Sequence, residues 1–352
     1  MKIATLGNAS VIHIQRWVEH FRARGHHVRL WSLEPGPPEL DVWPLPPPTT
    51  LPSLRYLTAA PALARGLEEF GPDLVDAHFV PNYGLMAAIV NRHPFSVTAW
   101  GSDLLAADQR VGLRRARARF VLRRADLVLA DAENLAHAAR ELGAPASRVR
   151  CIPWGISLDR FRATGERKRG AILSTRMHEP VYDLATLIEA AAIVLPRHPE
   201  LELTIAGDGS LRGELEAMAA AKLPAGRFRF LGRLQPETLA EWLARSDLYL
   251  STSLSDSTSL SLLEAMASGA VPVVSDIEGN REWVRDGDGA RLFAPGDAPS
   301  VARAIEAAMA DDGWRESARK RNRGVVEARG DWTRNMGRIE GLFRDLAASR
   351  RS

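Results

Sequence analysis

The stretch that most constrains the fold runs from Leu248 to Val274. An apolar run, Leu248-Tyr249-Leu250, leads into a Ser/Thr/Asp segment without glycine or proline. A short helical pattern over Leu260–Ala267 follows, Gly269 stops it, and a second apolar run, Val271–Val274, begins. This order is one right-handed βαβ step. Such a step puts its polar turn at the carboxyl edge of a parallel sheet, where open α/β folds bind ligands. Asp256 in the turn and Glu264 in the helix bracket four hydroxyls, on Ser257, Thr258, Ser259 and Ser261. Free backbone N–H groups at a helix start favour an anion, and carboxylates with hydroxyls suit a polyhydroxylated group. Phosphate plus sugar is one reading of the segment; a capped helix with solvated hydroxyls is the other, and the segment alone leaves both open.

The same theme recurs along the chain. Lys2–Leu6 reads as a strand, Val11–Arg24 as an amphipathic helix ended by Gly25, and Val28–Leu33 as the next strand. The turn between them lacks G-x-G-x-x-G, which argues against a dinucleotide-binding dehydrogenase. Residues 34–55 are Pro-rich and read as an irregular surface loop. Leu74–His78 and Phe95–Thr98 are strands that deliver His78 and the Trp100-Gly101-Ser102-Asp103 turn to the same edge. After Val149–Ile152 and a charged stretch bounded by Gly165 and Gly170, the pattern restarts at Ala171–Ser174. The expected architecture is α/β: two doubly wound Rossmann-like domains facing across a cleft. Their expected boundaries are 1–153 for the N-terminal domain, 154–170 for a linker, 171–328 for the C-terminal domain, and 329–352 for a terminal helix packing back on the N-terminal domain. At 352 residues the chain suits two cores of roughly 150–180 residues each.

One cysteine, Cys151, leaves no disulfide framework and fits a reducing compartment. Met1–Gly7 is a short apolar strand rather than a secretory signal, and no apolar run is long enough to span a membrane. A cytoplasmic protein is expected. Residues 111–124 carry Arg114, Arg115, Arg117, Arg119, Arg123 and Arg124 among apolar residues. A solvated face of an Arg-rich protein is the plain reading of that helix, and peripheral contact with an anionic membrane inner face is its rival. Only four of the 46 basic residues are lysines, and the helix lacks the aromatic interleaving of a nucleic-acid surface.

With both halves laid out, the chain resembles the retaining glycosyltransferases of family GT4, which have the GT-B fold. The resemblance rests on Leu262-Leu263-Glu264-Ala265-Met266-Ala267-x-Gly269-x-x-Pro272-Val273-Val274, continued by Gly279-Asn280-Arg281-Glu282. It extends to Pro153–Phe161, Thr98-x-Trp100-Gly101-Ser102-Asp103, Gly207-Asp208-Gly209, Phe230-Leu231-Gly232 and Ser246-Asp247. Asp256 and Glu264 have the spacing of that family's paired carboxylates, with Asp in place of the usual first Glu.

The resemblance implies a sugar moved from a UDP- or GDP-linked donor to a hydroxyl acceptor, a glycan, a lipid-linked group or a small molecule, with the nucleotide sugar as co-substrate and no other cofactor or metal. It implies that Glu264 holds the ribose, Asp256 the donor sugar, and Arg176 the leaving diphosphate. Gly207, Gly209, Leu231, Gly232, Ser257, Thr258, Ser259 and Leu260 would complete the donor site. The acceptor would meet Gly7, Asn8, His13, His78, Asn82, Tyr83 and Trp100, with Asp103 as a catalytic carboxylate beside them. Two positions depart from the family pattern. The lysine usually found shortly after the arginine is absent from Met177–Tyr182, leaving Val181 or Tyr182 in its place and Arg16, His178 or Arg281 as stand-ins. Trp100 stands where a histidine is usual. The rival functions are a sugar-nucleotide epimerase or hydrolase, and a sugar-nucleotide or glycan binder without catalysis.

Overall fold

A computed structural model describes residues 1–45, 49, 54–106 and 112–349. The chain forms two compact units, one of residues 1–153 with 336–352 and the other of residues 154–335.

The first unit is built on seven strands: β1 Lys2–Leu6, β2 His27–Ser32, β3 Val42–Pro44, β4 Leu74–His78, β5 Phe95–Thr98, β6 Leu127–Ala130 and β7 Val149–Cys151. They pair in the order β3-β2-β1-β4-β5-β6-β7, every pair parallel. That is a doubly wound order, with a switch point between β1 and β4. Strand β4 is buried along its whole length, Asp76 and His78 included. A strand covered by helices on both faces has no solvated side, so its sequence shows a run rather than an alternation. Helix Ile12–Ala23 turns Ile14, Trp17, Val18 and Phe21 inward. From Met336 onward, helix Trp332–Ala348 belongs with this unit: Phe343 stacks on Phe21 with ring centroids 5.4 Å apart, and Glu340 accepts from His26 Nε2 at 2.9 Å.

Strand β3 departs from the irregular loop expected of the Pro-rich segment. Trp43 pairs with Trp31 and Pro44 with Ser32 at the sheet edge. Proline is tolerated there because an edge strand leaves one row of N–H groups unpaired. The Arg29 guanidinium lies 4.0 Å from the Trp43 ring, which gives this short edge strand a lateral anchor. Pro46–Pro48 and Pro52 fall outside the described residues, as does Val111 of the Arg-rich helix.

The second unit repeats the plan with β8 Lys168–Ser174, β9 Glu202–Ala206, β10 Phe228–Gly232, β11 Ser246–Ser251, β12 Val271–Ser275, β13 Arg285–Asp286 and β14 Gly289–Phe293. Their order is β10-β9-β8-β11-β12-β14-β13. The step from Leu248 to Val274 is a parallel β11–β12 pair, Leu248 opposite Val271, joined by helix Leu260–Ser268. Ser259 caps that helix by accepting from the Leu262 amide, and Gly269 ends it in the left-handed region at φ 82°.

The sequence pattern does not predict helix Asp312–Arg329. Its inward residues are Arg315, Ala318, Asn322 and Val326, two of them polar, so the apolar stripe that betrays a helix is missing. It is held through Asp247 at the start of β11. That carboxylate accepts from Arg319 Nη2 at 2.5 Å and from the Gly170 amide at 3.0 Å, with Arg315 Nε 3.4 Å away. The Ser246-Asp247 pair therefore does structural work, tying β8, β11 and this helix together.

Candidate functional site

In the second unit the carboxyl ends of β8, β9, β10 and β11 carry the polar turns. Arg176 leaves the end of β8 and turns into the βαβ step. Its Nη1 donates to Ser259 Oγ and to Ser261 Oγ, each at 2.7 Å, and its Nη2 donates to Asp256 at 2.6 Å. Tyr249, fully buried on β11, donates to the same Ser261 hydroxyl at 2.8 Å. The Tyr182 ring lies against the guanidinium, 4.1 Å from centroid to Cζ. Burial disfavours the charge of Arg176, and the adjacent Asp256 carboxylate more than offsets that, so its pKa rises above the ordinary arginine value. Arg176 Nε is buried and has no hydrogen-bond partner. The helix start, its cap hydroxyl and a fixed guanidinium thus lie together at the sheet edge, an arrangement suited to an anion.

The turn that carries Asp256 is braced from both sides. Leu254 donates its amide to the Val181 carbonyl at 2.8 Å, and Thr252 Oγ1 donates to the carbonyls of Tyr182 and Asp183. On the other side, a side chain at Gly279 would put its Cβ 2.1 Å from the Ser257 carbonyl oxygen. Only glycine lets helix Glu278–Arg281 approach that closely, which gives the Gly279-Asn280 motif a mechanical reason. Trp283 Nε1 donates to Thr258 Oγ1 at 3.4 Å. Ser257, Thr258 and Ser259 are buried, Leu260 is half-buried at the helix start, and Glu264 is half-buried one turn further along the same face.

Gly207 and Gly209 line a separate cavity of about 400 Å³ in this unit, together with Thr175, Met177, Asp208, Arg233 and Leu234. Gly207 has φ 128°, and a Cβ there would lie 2.5 Å from the Arg176 carbonyl oxygen. The turn after β9 therefore rests directly on the Arg176 turn. Gly232 at the end of β10 accepts the Gly207 amide through its carbonyl at 2.8 Å, and Leu231 precedes it. Thr175 and Met177 extend the set expected from sequence.

The three stand-ins for the absent lysine lie in different surroundings. His178 is fully buried, and burial holds its imidazole below the ordinary histidine pKa, which disfavours its charged form. Arg281 is exposed, is paired with Asp276 at 2.5 Å, and lines a different groove with Arg285 and Arg321. Arg16 belongs to the other unit. Of Val181 and Tyr182, the two residues at the place of the missing lysine, Tyr182 lies against the Arg176 guanidinium.

In the first unit, Asn8, His78, Asn82, Tyr83 and Trp100 line one cavity of about 300 Å³. Gly7 precedes Asn8 and ties the turn to β2 through the Trp31 carbonyl, at 3.1 Å. The His13 ring faces Trp100 at 5.8 Å. His78 is fixed at both ring nitrogens: Nε2 to Asp76 at 3.1 Å, and Nδ1 accepting from Trp100 Nε1 at 3.3 Å. That pattern assigns the Nε2–H tautomer. Asp76 also accepts from Trp17 Nε1 at 2.9 Å and Ser96 Oγ at 2.7 Å. Glu34 and Arg55, paired at 2.5 Å, and Tyr56 also line this cavity. They come from the Pro-rich segment and the helix after it, where no motif marks them.

Asp103 is fully buried beneath the cavity's loops. Its two oxygens accept the amides of Val80 and Trp100, each at 2.9 Å, which holds the Phe79 and Trp100 loops together. Burial pushes its pKa up to about 6, against the pull of those backbone N–H groups. Phe79 sits in the left-handed region at φ 72°, at the start of a single π-turn, Phe79–Gly84, that aims Asn82 and Tyr83 at the cavity. A bulky side chain rarely adopts that conformation without surrounding support.

Two parallel seven-stranded sheets with polar carboxyl edges are the GT-B fold. Solved structures share it nearly end to end: Anabaena HepE, in complex with UDP and glucose, with a TM-score of 0.83, 19% identity, and coverage of 98% of this chain and 100% of that one. Sucrose-phosphate synthase from Thermosynechococcus elongatus has a TM-score of 0.85, 19% identity, and coverage of 99% and 100%. The family profile "Glycosyl transferases group 1" matches residues 159–325, and "Glycosyl transferase 4-like" matches residues 2–132. The chain belongs to the group 1, GT4-like glycosyltransferases.

The phosphatidyl-myo-inositol mannosyltransferase of Mycolicibacterium smegmatis is 34% identical over 145 residues, 41% of this chain and 37% of that protein. Its namesake in Mycobacterium tuberculosis H37Rv is 30% identical over 213 residues, 56% of this chain and 54% of that protein. The chain thus spans about half or less of the length of these relatives.

Proposed function

We propose that the chain moves a hexose-type sugar from a UDP- or GDP-linked donor to a hydroxyl acceptor, with retention. The observation that carries this reading is Arg176, buried at the start of helix Leu260–Ser268 between Asp256 and two hydroxyls. Transfer of this kind needs charge stabilisation on a departing diphosphate rather than a nucleophile and an acid pair. A planar guanidinium that stays charged supplies it. Glu264 takes the ribose hydroxyls, Asp256 takes hydroxyls of the donor sugar, and the departing phosphate accepts the acceptor's proton. The cavity of Gly207 and Gly209 takes the nucleoside.

The acceptor meets the first unit at the cavity of Asn8, His78, Asn82, Tyr83 and Trp100. Aromatic walls with two amides and an imidazole suit a ring carrying hydroxyls. A lipid-linked polyol is the favoured acceptor class, because the relatives above are named for phosphatidyl-myo-inositol. Helix Gly112–Arg124 supports it: Leu113 is 69% exposed among the arginines, a face suited to an anionic lipid surface. Among the described residues no helix is long and apolar enough to cross a membrane, so such contact is peripheral.

The test is nucleotide release from a panel of UDP- and GDP-sugars, with no acceptor, with soluble glycans, and with phosphatidylinositol vesicles. Release that requires an acceptor is the expected result, highest with the vesicles. Equal release in water alone makes the protein a hydrolase; binding without release makes it a sugar-nucleotide binder.

A further inference from the structure

The donor reading assigns Arg176 to a diphosphate and Asp256 to a sugar, yet the two side chains bind each other. The ion pair is 2.6 Å long, with the Arg176 side chain 9% and the Asp256 side chain 18% exposed. The guanidinium is otherwise fixed. Ser259 and Ser261 hold Nη1, and Tyr182 covers one face. Nε is buried, so the part of the guanidinium left to a ligand is the Nη2 edge that Asp256 occupies. Ser257 pins Asp256 at the other oxygen, its amide donating to Oδ1 at 3.0 Å. Tyr182 brings no second cation to the place where one is expected.

A diphosphate arriving alone therefore meets a guanidinium whose charge is already balanced by a carboxylate that repels the newcomer. A nucleotide sugar is different, because its hydroxyls offer Asp256 a new set of donors while its phosphates claim Arg176. We propose that Asp256 is a latch on Arg176: the site reaches its full affinity for the diphosphate only when a donor sugar draws Asp256 away. Asp256 is then a specificity-determining residue that discriminates the intact donor from the free nucleoside diphosphate. Product release gains from the same device. Once the sugar has left, the Asp256 carboxylate returns to Arg176 and displaces the diphosphate. Tyr182 is the positioning residue that keeps the guanidinium in place while its partner changes. The inference rests on the donor-site reading above.

Calorimetric titration with UDP and with GDP separates the two. The proteins are the unaltered chain, Asp256→Asn, Asp256→Ser and Arg176→Ala, each checked for a cooperative melt. Removing the carboxylate is expected to tighten binding of the free diphosphate by about tenfold, the worth of one charge-assisted hydrogen bond. The same variants are expected to lose affinity for the nucleotide sugar and to turn over more slowly. A carboxylate that only supports the turn would weaken both ligands, so the opposite signs are the signature. Unchanged or weaker UDP and GDP binding in both Asp256 variants, with binding abolished in Arg176→Ala, overturns the latch and leaves the donor site standing. Binding indifferent to Arg176→Ala overturns both.

Discussion

Replacing Arg176 with alanine is expected to lower kcat/KM with the preferred nucleotide sugar by on the order of 10³-fold, the cost of one preorganised charge-stabilising donor group. The loss should fall on KM as well as kcat, since Arg176 holds the bound diphosphate and the charge to be stabilised grows further as the glycosidic bond lengthens. Lysine should not restore it. Arg176 reaches Ser259, Ser261 and Asp256 from one planar fork. An ammonium is a point charge that cannot hold those directions together. Steady-state kinetics with a melting curve for each variant decides the matter. A loss under tenfold with an intact melt would remove Arg176 from the chemistry.

Asp247→Ala is expected to cost about 2–3 kcal/mol of folding stability, since it removes the acceptor of a charge-assisted hydrogen bond from Arg319 and of the buried Gly170 amide. Asp247 accepts from Arg319 and from the Gly170 amide, while the buried Arg315 keeps Asp312 and the Ala308 carbonyl as partners. The effect should be confined to the second unit, seen as earlier loss of structure in helix Asp312–Arg329 by hydrogen exchange. Chemical denaturation gives the magnitude. A change below about 1 kcal/mol would place this cluster among ion pairs that water can replace.

Much of the fold is visible in the sequence because parallel strands buried on both faces are apolar runs, and each run here ends in a polar turn. Leu74–His78 and Phe95–Thr98 lie where their runs predict. The helix after Asp256 is marked by its serine cap and its terminal glycine. What the sequence hides are contacts with no period. Arg176 and Asp256 lie 80 residues apart, and nothing in either segment announces that they pair. Glu34 and Arg55 reach the first unit's cavity from a segment whose prolines suggest only a loop. Helix Asp312–Arg329 buries an arginine and an asparagine where an apolar stripe would be sought. Asp103 shows a further limit: its place after a strand suggests chemistry, whereas both of its oxygens are engaged by the Val80 and Trp100 amides.

The proposed function stands or falls with the carboxyl edge of the second sheet as a nucleotide-sugar site. A crystal structure with a nucleoside diphosphate sugar tests it most directly. Phosphate oxygens are expected within hydrogen-bond distance of Arg176 at the start of helix Leu260–Ser268, ribose hydroxyls on Glu264, and Asp256 turned from Arg176 to the sugar. A nucleotide bound away from that edge, with the Arg176–Asp256 pair intact, would contradict it.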